Sequence, residues 1–390
     1  MSKLAISTTV AVIAIVVVAI VAGAAGYFGG AAQAPVVTTT VKEVETTTLR
    51  TTVTKTEEVT TTVTAPGVVG KLKIAVVVPG LANDMGWNQM GVEGGRVAAK
   101  YFKAAEFSFS EGLGYGEEPL RAMEDYIRKG YDLVIAHAGG YVDQAIKLVE
   151  EGKAGKTKFL IVLPGKPGED LIPGKLATYS FEVHPPAYPA GYLAGLLTKS
   201  NVVGIIQSVE EDTYWCRMSG AFAQGLKAAN PDAKLLFSVV GSYEDPVKAK
   251  EFTLAQIGLG ADVIFGMGDG TSFGIMEATS EKGVWFIDVI GDKRAIDEKG
   301  ILLTSVLWDF SVAYKEAIAD IYNGEFGKKD YPMSIANGGA HLMEINPKVP
   351  GDIVAKVGEI SKKVAAGEIK VKFVATPEEL YDLFKELGYQ

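Results

Sequence analysis

The chain of 390 residues has one cysteine, Cys216, and three histidines, His137, His184 and His341. One cysteine cannot close an intramolecular disulfide or build a cysteine metal cluster. The histidines stand far apart, so no zinc site is supported and no metal is expected. Basic charge is scarce too: 38 Lys and Arg face 47 Asp and Glu, a net charge of −9. Such a surface repels a phosphate backbone, and nucleic acid is not an expected partner. No Asn-x-Ser/Thr sequon occurs. Nucleotide-binding signatures are incomplete. Gly155-Lys156-Thr157 has the tail of a Walker A loop, but Glu150 stands where its first glycine belongs, and no Gly-x-Gly-x-x-Gly exists.

Charge is also absent from Leu4 to Ala25. About 22 apolar or small residues span roughly 33 Å as a helix, enough to cross a bilayer core. Lys3 and the amino terminus supply a positive flank, which places the rest of the chain outside. The run exceeds the usual apolar region of a cleaved signal, although Ala32-Gln33-Ala34 resembles a cleavage site. An uncleaved transmembrane helix within 1–34 is the expectation, with the remainder held at the outer face of the cell membrane. Residues 35–70 are rich in Thr and lack a sustained period, as a disordered or O-glycosylated stalk would be.

From Lys71 the pattern becomes globular. Hydrophobic residues make up 48% of the chain, ample for a large core. Gly130 to Ile135, ending in Gly139-Gly140, resembles Gly260 to Phe265, ending in Gly268-Asp269-Gly270. An amphipathic helix pattern precedes each, at Leu120 to Arg128 and Val247 to Ile257. A further helix pattern and an apolar strand follow each, Phe159 to Leu163 and Val284 to Ile287. More strands are expected at 72–78, 107–110, 176–181, 202–207, 235–240 and 301–306. A repeated β-α-β unit predicts two α/β lobes with parallel sheets, and a ligand held beyond the carboxyl ends of the strands. Two such lobes close by hinge motion.

The strand-to-helix junctions carry the candidate ligand contacts. Asp84, Trp87 and Asn88 follow the first strand, and Tyr141 and Asp143 the first repeated strand. Tyr243, Asp269 and Asp292 stand at equivalent ends further on. Each aspartate also suits a helix cap or a turn. Together they place aromatics and carboxylates at the mouth of both lobes, which favours a neutral, flat, hydrogen-bonding ligand over an anion. One catalytic pattern occurs: Gly270-Thr271-Ser272-Phe273-Gly274 fits a nucleophile elbow, with Asp292 or Asp309 and then His341 in hydrolase order. The preceding strand is expected to end near Phe265, too early for an elbow, so Ser272 reads better as a first-turn helix residue. An extracellular serine hydrolase is the alternative, and a ligand-sensing surface receptor without transport is another. No enzyme activity is expected and no cofactor is implied.

These residues, in this order, resemble the basic membrane protein family of ABC-transporter substrate-binding proteins. The likeness rests on Ile74 to Pro79, Asp84-x-Gly86-Trp87, Glu93-Gly94-Gly95-Arg96, Gly130-Tyr131-Asp132-Leu133 and Gly140-Tyr141. It continues in Tyr188-x-x-Gly191-Tyr192-Leu193-Ala194-Gly195, Thr198 to Gly204, Asn230-Pro231-Asp232-Ala233, Asp245-Pro246, Gly260 to Val263 and Glu281 to Val284. The resemblance implies a type I periplasmic-binding-protein fold, two Rossmann-like lobes joined by a hinge. The lobes would comprise 71–181 with 306–335 and 182–305 with 336–390. It also implies a purine base or nucleoside as ligand and an ABC importer permease as partner. Departures are local. No lipobox cysteine is present, so a protein anchor would replace the lipid. Nucleoside-binding members hold the ribose with a carboxylate and a lysine where this chain has Ile290 and Trp308. Trp308 therefore joins the expected ligand contacts in a cleft suited to a base.

Overall fold

Runs of Val, Ile and Leu closed by Gly, Pro or Ser form two parallel sheets. The computed structural model describes residues 71–162 and 170–389, with the backbone of two short strands at 36–41 and 59–64. Those two strands, β1 (Val36–Val41) and β2 (Val59–Thr64), pair antiparallel, Val36 opposite Thr64. They lie in the segment expected to lack regular structure. Its alternating Val and Thr are β-branched and suit a pleated strand. The apolar run Leu4 to Ala25 lies outside the described residues. Among the described residues no helix is long and apolar enough to cross a membrane.

Residues 71–390 form a unit of their own. Its first lobe runs β3 (Lys73–Val77), α1 (Trp87–Tyr101), β4 (Glu106–Ser110), α2 (Glu118–Arg128), β5 (Leu133–Ala136), α3 (Val142–Glu150), β6 (Lys158–Val162) and β7 (Leu176–Phe181). The second runs α4 (Ala187–Leu197), β8 (Val202–Gln207), α5 (Thr213–Ala229), β9 (Lys234–Val239), α6 (Pro246–Gly258), β10 (Val263–Met267), α7 (Gly270–Lys282), β11 (Trp285–Ile290) and β12 (Leu302–Trp308). The chain then returns to the first lobe for α8 (Ser311–Asn323) and β13 (Tyr331–Met333). It ends in the second with β14 (Ala340–Leu342), α9 (Gly351–Ala365) and α10 (Pro377–Glu386). The lobes are thus joined after Phe181, after Trp308 and between Met333 and Ala340. The expected boundary at 305/306 falls inside β12, whose pairing with β11 continues to Leu307.

The sheet orders are β13-β7-β6-β5-β3-β4 and β14-β12-β11-β10-β8-β9. Only β14 runs antiparallel to its neighbour in these two sheets. Helices cover the sheets, so β5 and β10 are buried along their whole length and read as unbroken apolar runs. Each lobe repeats one order: its second strand at the edge, then the first, third, fourth and fifth. The order reverses between β3 and β5 in one lobe and between β8 and β10 in the other. Crevices at the carboxyl ends of such strand pairs are where open α/β sheets bind ligands.

Small residues allow the tight helix packing in the second lobe. A Cβ on Gly191 of α4 would stand 1.9 Å from the Phe222 carbonyl oxygen of α5, and one on Gly225 of α5 1.9 Å from that of Tyr188. Backbone contact this close excludes any side chain, which explains the Tyr188-x-x-Gly191 spacing in physical terms.

Candidate ligand-binding cleft

Both reversal points open into one cavity of about 490 Å³ between the lobes, within the usual range for small-molecule sites. The first lobe contributes Trp87 from the loop after β3, and Ala138, Gly139, Gly140, Val142 and Asp143 after β5. Tyr115, Val162 and Phe181 complete that wall. From the second lobe come Asp212, Tyr214 and Trp215 after β8, Tyr243 after β9, Asp269 after β10, Ile290 after β11 and Trp308 at the end of β12.

Trp87 is fixed from several sides. Its indole Nε1 donates to the His137 carbonyl oxygen at 2.9 Å. The His137 ring stacks on it at 4.1 Å between centroids, 23° apart. Phe310 meets it edge-on at 5.3 Å. His137 Nε2 stands 3.0 Å from the Trp87 carbonyl oxygen, which can only accept, so Nε2 carries the proton. Nδ1 is then an acceptor with one lone pair, and the Tyr179 and Tyr314 hydroxyls both stand 2.7 Å from it. Complete burial pushes the His137 ring down to about 3, so it stays neutral.

The lobes meet at the same loop. The Trp87 backbone N–H donates across the cleft to Asp269 Oδ1 at 2.9 Å. A Cβ on Gly86 would lie 2.4 Å from that oxygen, and one on Gly291 would lie 2.3 Å from the Met85 carbonyl oxygen. Phe181 and Tyr214 stack between the lobes at 4.1 Å. Beside this seam Ile290 has φ +67°, and the Gly291 N–H bonds back to the Val289 carbonyl at 2.9 Å. That is a γ-turn centred on a β-branched residue, a backbone state costing about 1–3 kcal/mol.

Asp212 is satisfied within its own lobe. Its Oδ1 accepts from the Tyr214 and Trp215 backbone N–H groups at 2.8 and 3.2 Å, and its Oδ2 from the Tyr243 hydroxyl at 2.6 Å. Enclosure raises the Asp269 carboxyl to about 7: desolvation dominates, and the Asp84 and Glu244 carboxylates push the same way. Among the described residues no lysine or arginine lines the cavity. The nearby Lys293 is buried in an ion pair with Asp288 at 2.6 Å. Buried and without a partner among the described residues are two indole N–H groups, those of Trp215 and Trp308. Their rings lie 5.7 Å apart.

Five of the expected contacts line the cavity: Trp87, Asp143, Tyr243, Asp269 and Trp308. The other four build its frame. Asp84 accepts from the Gly86, Asn88 and Gln89 backbone N–H groups at 2.9–3.0 Å and from Asn88 Nδ2 at 2.6 Å, shaping the start of α1. Asn88 Oδ1 receives the Gly80 N–H at 2.8 Å. Tyr141 is fully buried and donates its hydroxyl to the Gly114 carbonyl at 2.8 Å. Asp292 grips Arg294 through contacts of 2.6–3.0 Å, and that guanidinium holds its carboxyl below the usual range.

Tyr115, Phe181, Tyr214 and Trp215 were not expected. One signal for the last was available: Asp212-x-x-Trp215 repeats Asp84-x-x-Trp87 at the same junction of the other lobe. Ser272 is fully buried in the first turn of α7. Its hydroxyl lies 2.8 Å from both the Gly268 carbonyl and Asp288 Oδ1, so it braces the end of β10.

Two lobes of the doubly wound type around an aromatic cleft define a solute-binding module. The chain belongs to the Bmp family, described as PnrA-like ABC transporter substrate-binding proteins, whose sequence profile covers residues 71–373. It is similar to the ABC transporter nucleoside-binding protein of Lactococcus lactis, 25% identical over 71% of this chain and 84% of that one. It is also similar to a purine-binding protein of Brucella abortus, 22% identical over 77% and 82%. Among solved structures, an ABC transporter solute-binding protein from Conexibacter woesei superposes with a TM-score of 0.67. It is 23% identical and covers 77% of this chain and 99% of that one.

Proposed function

We propose that this protein captures a flat, purine-like base in the interlobe cleft and delivers it to an ABC importer. The observation that carries the ligand class is the wall itself: Trp87, held by His137, faces a cavity with carboxylates and unpartnered indole donors but, among the described residues, no cationic side chain. Rings with hydrogen-bonding edges suit it and anions do not. The Brucella relative, a purine-binding protein, supports the purine class, and the Lactococcus relative, a nucleoside-binding protein, supports a ligand that carries a base. A base fits better than a nucleoside, because Ile290 and Trp308 offer a ribose only an alkyl group and one indole N–H. A buried sugar hydroxyl left unpaired costs about 1–3 kcal/mol.

Tethering belongs to the same proposal. An uncleaved helix from Leu4 to Ala25, followed by the Thr-rich segment to Gly70, would hold the binder outside the membrane, close to a permease. Protection of the amino terminus and protease access to the remainder in intact cells would test the topology.

Calorimetry with adenine, guanine, adenosine and guanosine tests the ligand. The free bases are expected to bind at least as tightly as their nucleosides. Replacing Trp87 by Ala removes a stacking surface worth about 1–3 kcal/mol. Nucleosides binding far more tightly, or Trp87→Ala binding normally, would overturn the base reading.

A further inference from the structure

Asp269 is held in a way that a simple cap or turn residue is not. It is joined to Trp87 across 182 positions of sequence and across the cleft. One oxygen is committed to the Trp87 N–H, and a Cβ at Gly86 would strike it, so the carboxyl is wedged in the seam. Its Oδ2 has no partner among the described residues, and Asp269 lines the cavity. We infer that Asp269 is a specificity-determining residue that meets the ligand as a neutral acid, donating from Oδ2 to a lone-pair acceptor on the ligand edge and taking up one proton as the cleft closes. This rests on the reading of the cleft as the site of a flat, hydrogen-bonding ligand.

The charges around the seam favour the neutral form. Asp84 approaches from the loop before α1 and Glu244 from the loop before α6. Glu244 Oε2 lies 2.4 Å from where a Cβ on Gly270 would sit, one residue along from Asp269. The Tyr115 and Tyr243 phenols also face Asp269, and burial above all raises both, so each stays protonated. Lys293 alone supplies opposite charge, and it is bound to Asp288. Burial disfavours a charge on Asp269, and the Asp84 and Glu244 carboxylates add to that. Burial in the seam raises Asp269 to about 7, whereas an aspartate left in water, as this one would be with the lobes apart, ionises at about 4. The closed form then holds a proton that the open form has lost. Closure is therefore favoured at low pH, weakens as pH rises from about 4 to 7, and levels off above. The proton comes from solvent and returns there on opening, which links release to proton loss. An acid O–H selects a ring nitrogen or carbonyl and disfavours an N–H at that edge.

The test uses the full-length wild-type protein and Asp269→Asn, whose amide keeps an acceptor for Trp87 and a fixed donor toward the cavity. First, without any ligand, the difference in bound protons between the two proteins is titrated from pH 3 to 9. A midpoint of about 4 is expected while the cleft is open; one of about 7 means that Asp269 is protonated before closure and overturns the proposed proton uptake. Second, adenine is titrated by calorimetry between pH 5 and 8 in buffers of different ionisation enthalpy. Wild type should take up protons on binding and lose affinity by up to about tenfold per pH unit toward pH 7. Asp269→Asn should be nearly flat with pH and should exceed wild type at pH 8. Wild-type affinity that rises with pH, or abolition of binding by Asp269→Asn, means an ionised Asp269 accepting from the ligand and overturns the proposal. If adenine does not bind wild type at any pH, the purine reading falls; the ligand-free midpoint is still expected at about 4, and one of about 7 still overturns proton uptake on closure.

Discussion

Gly291→Ala places one methyl group in the seam and nowhere else. Its Cβ would stand 2.3 Å from the Met85 carbonyl oxygen and 3.1 Å from that carbonyl carbon. The obstacle is backbone, so no side chain can rotate aside. The neighbours must part by about 1 Å to reach ordinary contact near 3.3 Å, where dispersion turns favourable. Met85 and Gly291 belong to different lobes, so the movement opens the cleft. The bond from Trp87 N–H to Asp269, 2.9 Å now, then stretches past hydrogen-bonding distance. A hydrogen bond to a neutral acid is worth about 0.5–1.5 kcal/mol, which converts to roughly a 2- to 10-fold loss of affinity. Each lobe keeps its own core, so unfolding of the ligand-free protein should change little. Calorimetry with adenine reads the first quantity and thermal melting the second. Unchanged affinity would show that the lobes do not bind in the apposition described. Equal losses of affinity and melting temperature would show that Gly291 serves the fold of its own lobe.

Trp308→Phe removes an unpartnered indole N–H while keeping an aromatic ring. Affinity for adenine should fall several-fold with stability little changed, and an unchanged affinity would show that the ligand does not reach this donor. His137 and His184 are held down to about 3 and about 4 by burial, whereas the unfolded chain protonates them near 6.5. Their stability contribution is therefore complete above pH 6.5 and is lost as pH falls, by up to about 1.4 kcal/mol per pH unit for each. Melting temperature followed from pH 7 to 4 should drop, and His137→Phe should blunt the slope. The chain from Lys71 onward should fold and stay monomeric without detergent, as its separate core implies. Aggregation relieved only by detergent would contradict that.

Much of the architecture was legible because its physics is local. A strand buried on both faces must be apolar at every position, so β5 and β10 announced themselves and their copies exposed the duplication. Strand bounds at 176–181 and 202–207 match the expected ones. The cleft was harder to read. An aspartate before a helix looks the same whether it caps the helix, as Asp84 does, or closes a cleft, as Asp269 does. Tyr141 carries the right chemistry at the right junction, yet the Gly114 carbonyl claims its hydroxyl. Asp292 is taken by Arg294 two residues on. The pairing of Trp87 with Asp269 leaves no local trace, because neither neighbourhood constrains the other until both lobes have folded.

The repeated Asp-x-x-Trp shows how a duplicated scaffold can yield an asymmetric site. In both lobes the aspartate binds backbone N–H groups at the start of the first helix, which fixes where the tryptophan emerges. The two indoles differ in what they leave unmet. The Trp87 N–H is spent within its own lobe on His137, and one ring face is covered by the imidazole. The Trp215 N–H is buried without a partner, beside Trp308 in the same condition. A satisfied platform can receive a ring without further change, whereas an orphaned buried donor is costly until an acceptor arrives. The first lobe is therefore the finished half of the site. The second gains more from a ligand, so differential stabilisation of the closed arrangement falls mainly on its side of the cleft.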